Sequence, residues 1–230
     1  MTTDEKAYIH IEEVTKVFKS GRSQVEVLKG LNYTIERRNS LAIVGASGVG
    51  KSTLLYILGA LEPPTSGQVI FDGIDLYGQD QKALALLRSR KIGFVFQFHH
   101  LLSEFNALEN TAMPSLIRGL SRKEAYNQAE KILVRVGLKD RLTHRIGEMS
   151  GGEQQRVAVA RALVTEPEVL LADEPTGNLD TGTGRRINDL IMELNQEKGL
   201  TMIIATHNLE LARMMSSQVR LSQGRAIQER

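Results

Sequence analysis

Residues 41–53 read Leu-Ala-Ile-Val-Gly-Ala-Ser-Gly-Val-Gly-Lys-Ser-Thr, an apolar run that leads into a glycine-rich loop. The run at 41–44 is short and continuous, which favours a strand buried on both faces. A stripe of apolar residues with helical spacing follows the loop and stops at Pro63 and Pro64; its members are Leu54, Leu55, Ile57, Leu58 and Leu61. The order of strand, glycine loop and helix predicts an α/β fold.

The loop itself is Gly45-Ala46-Ser47-Gly48-Val49-Gly50-Lys51-Ser52-Thr53, and it matches the pattern G-x-x-x-x-G-K-[S/T]. Its glycines let the backbone curl so that successive N–H groups face phosphate oxygens, and the helix that follows adds its positive end. Lys51 is then placed to reach the β- and γ-phosphates of a nucleoside triphosphate, and the Ser52 hydroxyl to bind Mg²⁺. The alternative is a glycine-rich turn that matches by chance. The strand before the loop and the helix after it favour a phosphate-binding loop.

Two adjacent carboxylates, Asp173 and Glu174, follow a second apolar run at 169–172. Open α/β sheets bind their ligands at the carboxyl ends of the strands, so we expect both acids near the site. Asp173 suits the coordination of Mg²⁺, and Glu174 suits the polarisation of a water for attack on a γ-phosphate. The alternative is that the two acids only cap the next element.

His207 and Gln97 also come just after apolar runs, at 202–205 and 92–96. A lone histidine is more often structural than catalytic, but the end of a strand in this kind of sheet favours a functional role. Gln97 is placed to contact Mg²⁺ or water. The next segment, 98–105, is apolar and aromatic, and it suits either packing inside the protein or docking of a partner.

The segment Ser150-Gly151-Gly152-Glu153 combines a helix start with two poor helix formers. Ser150 and Glu153 form a capping box, whereas each glycine in a first turn costs about 1 kcal/mol relative to alanine. The glycines make sense if an anion approaches the helix N-terminus closely. Because residues 45–53 already bind one triphosphate, a second anion site indicates a shared nucleotide.

Strand-like and helical segments alternate along the chain. The strand-like segments lie at 8–14, 25–35, 41–44, 69–71, 92–96, 169–172 and 202–205. Between about 101 and 165 the pattern is helical, and Ser121 with Glu124 forms another capping box. We therefore predict a mainly parallel sheet covered on both faces, with the helical middle inserted as a lobe.

Composition limits the classes of function. The 230 residues carry a formal net charge of only +2 without a clustered basic face, so we expect no nucleic-acid partner. The absence of cysteine excludes disulfides and thiolate metal sites, and the adjacent His99 and His100 lack the spacing of a metal site. Residues 1–6 are polar, and the apolar runs are far shorter than the roughly 20 residues of a membrane span. We expect neither a signal peptide nor a spanning helix, so another chain must supply any membrane part.

These motifs together resemble the nucleotide-binding subunits of ABC transporters over essentially the whole chain. The matching positions are the Walker A loop at 45–53, the Q-loop Gln97, the signature Met149-Ser150-Gly151-Gly152-Glu153, the Walker B acids Asp173 and Glu174, the D-loop Asn178-Leu179-Asp180 and the switch His207. The resemblance implies a P-loop NTPase with a RecA-like core, an N-terminal antiparallel β-subdomain and an inserted α-helical subdomain. It also implies that residues 1–230 are one nucleotide-binding domain, with a helical signalling subdomain at about 101–165.

The resemblance further implies a head-to-tail dimer that binds ATP and Mg²⁺ between the Walker A loop of one copy and the signature of the other. Glu174 is then the general base, Lys51 and His207 contact the γ-phosphate, and Asp180 belongs to the nucleotide-binding residues. The implied Mg²⁺ ligands are Ser52, Gln97 and Asp173. Phe18 stands where an aromatic residue, often tyrosine, stacks on adenine.

A finer resemblance rests on Phe96-Gln97-Phe98-His99-His100-Leu101-Leu102, which looks like the ATPase subunits of LolCDE-type lipoprotein-releasing systems. It implies two integral-membrane permease subunits of the LolC and LolE type, docking near residues 97–105, and a peripheral position on the cytoplasmic face of the inner membrane. Macrolide-exporter-type and cell-division-type ATPases are close alternatives, the latter as nucleotide-gated regulatory modules. A soluble ABC ATPase that acts on nucleic acid is a less favoured alternative. Such proteins usually carry two cassettes in one chain, whereas this chain has one, and its net charge is close to balance.

Overall fold

The computed structural model describes residues 7–21 and 23–228. The chain divides into two compact units, Met1–Leu86 with Leu200–Arg230 and Leu87–Gly199, which we call the first and second units. The expectation that residues 1–6 form no signal peptide concerns a part of the chain outside the described residues. Among the described residues, no helix combines the length and the apolar character that a bilayer crossing requires.

Strands and helices alternate along much of the described chain. In chain order they are β1 (Ala7–Ser20), β2 (Ser23–Glu36), β3 (Ser40–Val44), α1 (Lys51–Leu58), β4 (Ser66–Phe71), β5 (Ile74–Asp75), α2 (Gln81–Lys91), β6 (Ile92–Val95), α3 (Ala107–Ile117), α4 (Arg122–Arg135), α5 (Gly151–Leu163), β7 (Val169–Asp173), α6 (Thr181–Lys198), β8 (Thr201–Thr206), α7 (Leu209–Met214), β9 (Ser217–Ser222) and β10 (Arg225–Gln228). Short 3₁₀ turns at Lys139–Arg141 and Ile146–Glu148 lie between α4 and α5.

The first unit contains an antiparallel sheet in the strand order β2-β1-β4-β5. The rings of Tyr8 on β1 and Phe71 on β4 are both buried, and their centroids lie 5.1 Å apart. This sheet confirms the antiparallel β-part that the resemblance implied.

Parallel pairing also occurs in the first unit, where β3 lies between β8 and β9. Every residue of β3 and of β8 is buried. Continuous apolar runs of this kind are typical of parallel strands covered on both faces, so the prediction from residues 41–44 and 202–205 is confirmed.

The second unit pairs β6 and β7 in parallel and adds the predicted helices. The capping boxes at Ser121 with Glu124 and at Ser150 with Glu153 are both formed. A third capping box, Asn106 with Glu109, opens α3 and was not predicted. The helices α3 and α4 pack around a small buried cluster whose members are Ala112, Ala125, Ala129 and Val164.

The helix after the glycine loop is shorter than predicted. α1 ends at Leu58, and Ala60 takes a left-handed φ of 52°, so the chain leaves the helix before Leu61. Leu61 is 46 % exposed, and including it in the apolar stripe was wrong. The hydroxyl of Tyr77 donates to the carbonyl oxygen of Ile57 at 2.7 Å, which satisfies one of the last carbonyls of the helix.

Candidate active site

The loop between β3 and α1 turns through three glycines with positive φ, namely 157° at Gly45, 76° at Gly48 and 107° at Gly50. Two of them also lack room for a side chain. A Cβ on Gly45 would lie 2.5 Å from the carbonyl oxygen of Leu221, and one on Gly50 would lie 2.7 Å from Cγ1 of Val27. Glycine is therefore required here both by the backbone conformation and by close packing.

Lys51 begins α1, and its side chain folds back over the loop. Its Nζ donates hydrogen bonds to the carbonyl oxygens of Gly45 at 2.9 Å and Ala46 at 3.1 Å. Gly50 occupies the N-cap, and no side chain in the described part of the chain caps α1. An ammonium group beside a helix N-terminus of this kind favours the binding of phosphate.

His207 lies at the same sheet edge as this loop. In the parallel pairing of β3 with β8, Val44 stands opposite Thr206. Gly45 and His207 therefore each follow the last paired residue of neighbouring strands. The His207 side chain is exposed, and Thr206 Oγ1 accepts a hydrogen bond from the Asn208 N–H at 3.0 Å, which shapes the turn into α7.

Gln97 and the two predicted acids, Asp173 and Glu174, also lie at the carboxyl ends of neighbouring parallel strands, here in the second unit. Val95 on β6 stands opposite Ala172 on β7, so Gln97 and Glu174 each lie two residues beyond a paired position. Asp173 is the last residue of β7 and is only 2 % exposed. The parallel pair thus brings an amide and two carboxylates to its carboxyl end, where such sheets bind ligands.

The backbone around Glu174 is strained. Glu174 has a φ of 44°, a left-handed conformation that costs a residue other than glycine about 1–3 kcal/mol and that clusters at active sites. Its carbonyl oxygen accepts a hydrogen bond from the Gly177 N–H at 3.1 Å. The next residue, Asn178, donates from Nδ2 to the carbonyl oxygen of Gln97 at 3.2 Å. The loop after β7 is therefore tied to the residue that follows β6.

Ser150 opens α5 and is exposed together with Gly151. The Ser150 Oγ accepts from the Glu153 N–H at 3.3 Å, and the Glu153 carboxylate accepts from the Ser150 N–H at 2.8 Å. Arg141 adds a third partner, because its Nε donates to Glu153 at 2.9 Å. The Ser150 N–H bond, followed by the Arg141 bond, lowers the pKa of Glu153 from its usual 4.5 to about 2.

The two glycines of this turn differ in their surroundings. A Cβ on Gly152 would stand 2.5 Å from Cγ2 of Thr183, whereas the nearest atom to a Cβ on Gly151 is Cδ2 of Leu179 at 3.6 Å. Thr183 lies in the first turn of α6, whose N-cap Asp180 accepts from the Thr183 N–H at 3.0 Å. Packing inside the second unit therefore requires glycine at 152, and only Gly151 leaves ordinary space in front of the turn.

Phe18 lies on β1, opposite Val25 on β2, and is 42 % exposed. The Lys16 ammonium lies 5.0 Å from the centroid of the Phe18 ring. An exposed aromatic face next to a cation is a surface on which a planar ring can stack.

Residues that hold the backbone of segment 97–105 were not predicted from the sequence. Arg161 on α5 donates to the carbonyl oxygens of His99 and His100, and the side chain of Asn110 on α3 bonds to the backbone of Leu102. Asn110 belongs to the run Ala107-Leu108-Glu109-Asn110, which contributes to the finer resemblance, but its contact with Leu102 was not predicted, and Arg161 belongs to none of the motifs. The only sequence signal is a charged or amide side chain within an otherwise apolar helical pattern.

The model of the ABC transporter family matches residues 28–177, and the chain belongs to that family. It is an ATP-binding subunit that hydrolyses ATP, which confirms the class predicted from the motifs. The chain is 56 % identical over 219 residues to the lipoprotein-releasing system ATP-binding protein LolD of Syntrophus aciditrophicus, covering 95 % of this chain and 98 % of that relative. It is 52 % identical to the LolD protein of Geobacter metallireducens, covering 95 % and 97 %.

A solved structure shares the fold. It is a dimeric ATP-binding cassette in a post-hydrolysis state with bound ADP and Pi, and it matches with a TM-score of 0.90 and 38 % identity over 96 % of this chain and 97 % of that one. The predicted α/β P-loop fold, with one parallel and one antiparallel sheet, is confirmed by this match and by the family.

Proposed function

We propose that this chain powers the release of lipoproteins from the inner membrane toward the outer membrane. The observation that carries the proposal is the 56 % identity, over 95 % of the chain, to a protein named for the lipoprotein-releasing system. The chain then works as a peripheral subunit on the cytoplasmic face of the inner membrane. Its ATP turnover drives two integral-membrane permease subunits that dock near residues 97–105.

In this proposal two copies bind ATP head to tail, each nucleotide lying between residues 45–53 of one copy and the signature turn of the other. The exposed Ser150 and the space in front of Gly151 support this arrangement, because a phosphate needs an approach to the helix N-terminus. The solved relative described as dimeric supports it as well. Residues 1–230 would then act as one nucleotide-binding domain, with about 101–165 as its signalling subdomain.

In this proposal each predicted site residue contacts a particular part of the ATP molecule or the attacking water. Lys51 contacts the β- and γ-phosphates, Phe18 stacks on the adenine, and His207 contacts the γ-phosphate. Glu174 takes the proton of the attacking water as general base. The signature residues, with Glu153 and Asp180, complete the nucleotide site from the second copy.

Mg²⁺ is part of the proposal, with Ser52, Gln97 and Asp173 as its ligands. The hydroxyl, amide and carboxylate oxygens of these side chains fit a hard cation that prefers oxygen. Within residues 7–21 and 23–228 no group of three or more His, Asp or Glu side chains gathers for a metal. Mg²⁺ would neutralise charge on the transferred phosphoryl group.

The test is reconstitution with the membrane partners. We expect the chain to co-purify with two permease subunits and to release lipoproteins from proteoliposomes in an ATP-dependent way. A complex that turns over ATP without any release would contradict lipoprotein transport and favour a nucleotide-gated regulatory module instead.

Segment 97–105 allows a second test of the docking surface. Replacing His99 and His100 with the residues of a related exporter should weaken stimulation by the permease and leave basal ATP hydrolysis intact. An unchanged release rate would contradict docking at this segment.

A further inference from the structure

Segment 97–105, which we call the docking loop, is held in part by an arginine of the signature helix. Arg161 lies on α5, the helix that begins at the signature turn. Its Nη2 donates to the carbonyl oxygen of His99 at 2.6 Å, and its Nη1 donates to that of His100 at 2.7 Å. One planar guanidinium therefore fixes two consecutive carbonyls in a defined orientation.

The surroundings of this contact make it costly to rearrange. Burial lowers the pKa of the Arg161 guanidinium. His100, whose carbonyl is one acceptor, has a left-handed φ of 47°. A partly desolvated cation needs its hydrogen bonds. If the loop moved away from Arg161, the guanidinium would either become exposed to solvent or stay buried without hydrogen-bond acceptors.

A second clamp holds the far end of the docking loop. Asn110 is 1 % exposed, its Oδ1 accepts from the Leu102 N–H at 2.8 Å, and its Nδ2 donates to the Leu102 carbonyl at 3.0 Å. Two apolar side chains of the same loop are exposed, Phe98 by 68 % and Leu102 by 42 %. The loop thus combines a fixed backbone with an exposed apolar surface.

We propose that Arg161 is a positioning residue for transport: it joins the docking loop to the signature helix, so that a displacement of the loop by the permease reaches the signature turn. The inference rests on the proposed permease partner. In this proposal the guanidinium acts through α5 and the docking loop rather than on the nucleotide.

Arg118 offers a matched control. It caps α3 and donates from Nη1 to the carbonyl oxygen of Thr165 at 2.6 Å and from Nη2 to that of Arg90 at 3.1 Å. Arg118 therefore makes the same pair of arginine-to-carbonyl bonds in the same unit, but none of them reaches the docking loop. A purely structural role would make the two arginines equivalent.

The experiment compares Arg161→Met with Arg118→Met in the full chain. In the isolated subunit, amide hydrogen exchange at residues 97–105 should accelerate in Arg161→Met and stay at the parental rate in Arg118→Met. In the reconstituted complex, basal ATP hydrolysis should hold within about twofold in both variants, while stimulation by the permease falls about fivefold in Arg161→Met only. Arg161→Lys keeps the positive charge but loses the planar guanidinium that donates to both carbonyls, so it should recover part of the stimulation.

The outcomes separate this inference from the proposed function. Equal effects of the two arginine variants, or unchanged exchange and stimulation in Arg161→Met, would overturn the positioning role. Permease stimulation without lipoprotein release in the parent would overturn the proposed cargo, while a selective loss in Arg161→Met would still support the positioning role.

Discussion

Gly152 and Thr183 approach so closely that a Cβ on Gly152 would stand 2.5 Å from the Thr183 methyl carbon. No relaxed Cβ contact is that short, and Thr183 is a β-branched residue with little freedom at χ1. The signature helix α5 and the helix α6 therefore meet through a glycine. The sequence suggested that both signature glycines allow an anion to approach. Gly152 is also required for a different reason, namely the close packing of α5 against Thr183 in the same chain.

The first prediction separates the packing role of the signature glycines from their role in anion binding. Gly152→Ala should lower the free energy of unfolding by about 1–3 kcal/mol through overpacking. Adding Thr183→Ser, which removes the crowded methyl and keeps the hydroxyl, should restore most of that loss in urea denaturation. A double variant that stays as unstable as Gly152→Ala would contradict the packing explanation.

Gly151→Ala is the matched substitution for the anion role. Its Cβ meets only Cδ2 of Leu179 at 3.6 Å, so stability should hold or rise by up to about 1 kcal/mol. ATP hydrolysis should nevertheless fall, because the methyl group stands in front of the helix N-terminus. Full activity in Gly151→Ala would show that no phosphate approaches this turn closely.

The second prediction concerns Glu153 and pH. The pKa of Glu153 is about 2 in the folded chain against an ordinary 4.5, so its ionised form stabilises the fold fully above pH 4.5, and that contribution declines as the pH falls toward 2. Glu153→Ala should cost about 1 kcal/mol at pH 7 through loss of the capping box. The difference in thermal midpoint between parent and variant should shrink between pH 5 and pH 3. A difference that stays constant over this range would contradict the assignment.

Local patterns predicted most elements of the fold. The buried strands β3, β7 and β8 were read from continuous apolar runs, and α4 and α5 from their capping boxes. The end of α1 was predicted too late, because the apolar stripe was extended to Leu61 past Gly59, the glycine that occupies the C-cap directly after Leu58. Helix α2 was missed, since its buried side is represented by Leu84 alone.

The motif residues of the candidate site carry a local sequence pattern, whereas the residues that support them do not. Gly45, Lys51 and Asp173 carry a local pattern that reports their chemistry. Arg141 and Arg161 act over separations of 12 and about 60 residues, and their acceptors are a carboxylate and main-chain carbonyls. Any exposed arginine has the same local appearance, so only the tertiary structure distinguishes them.

The third prediction tests Glu174 as general base. Glu174→Gln keeps the size of the side chain and removes its basicity, so hydrolysis should fall by at least about 100-fold. The variant should bind ATP and accumulate as a dimer in size-exclusion chromatography. Glu130→Gln, at an exposed position on α4, serves as the control and should behave as the parent. Hydrolysis by Glu174→Gln at the parental rate would refute the assignment.

The fourth prediction concerns Phe18, whose ring is 42 % exposed on β1. If the ring stacks on adenine, Phe18→Ala should weaken ATP binding by about 1–3 kcal/mol, or roughly 5- to 150-fold in Kd, and Phe18→Tyr should preserve it. Inorganic triphosphate has no base, so its affinity should be the same in all three proteins.

Titration calorimetry with both ligands measures this difference directly. Ile74→Ala is the control, because Ile74 lies in the same sheet and is 41 % exposed. A loss of ATP affinity in Ile74→Ala as large as that in Phe18→Ala would indicate a general disturbance of the sheet. A parallel loss of triphosphate affinity in Phe18→Ala would place the effect at the phosphate loop, and stacking would then be the wrong explanation. Only a loss that is confined to ATP and to position 18 assigns the adenine to this ring.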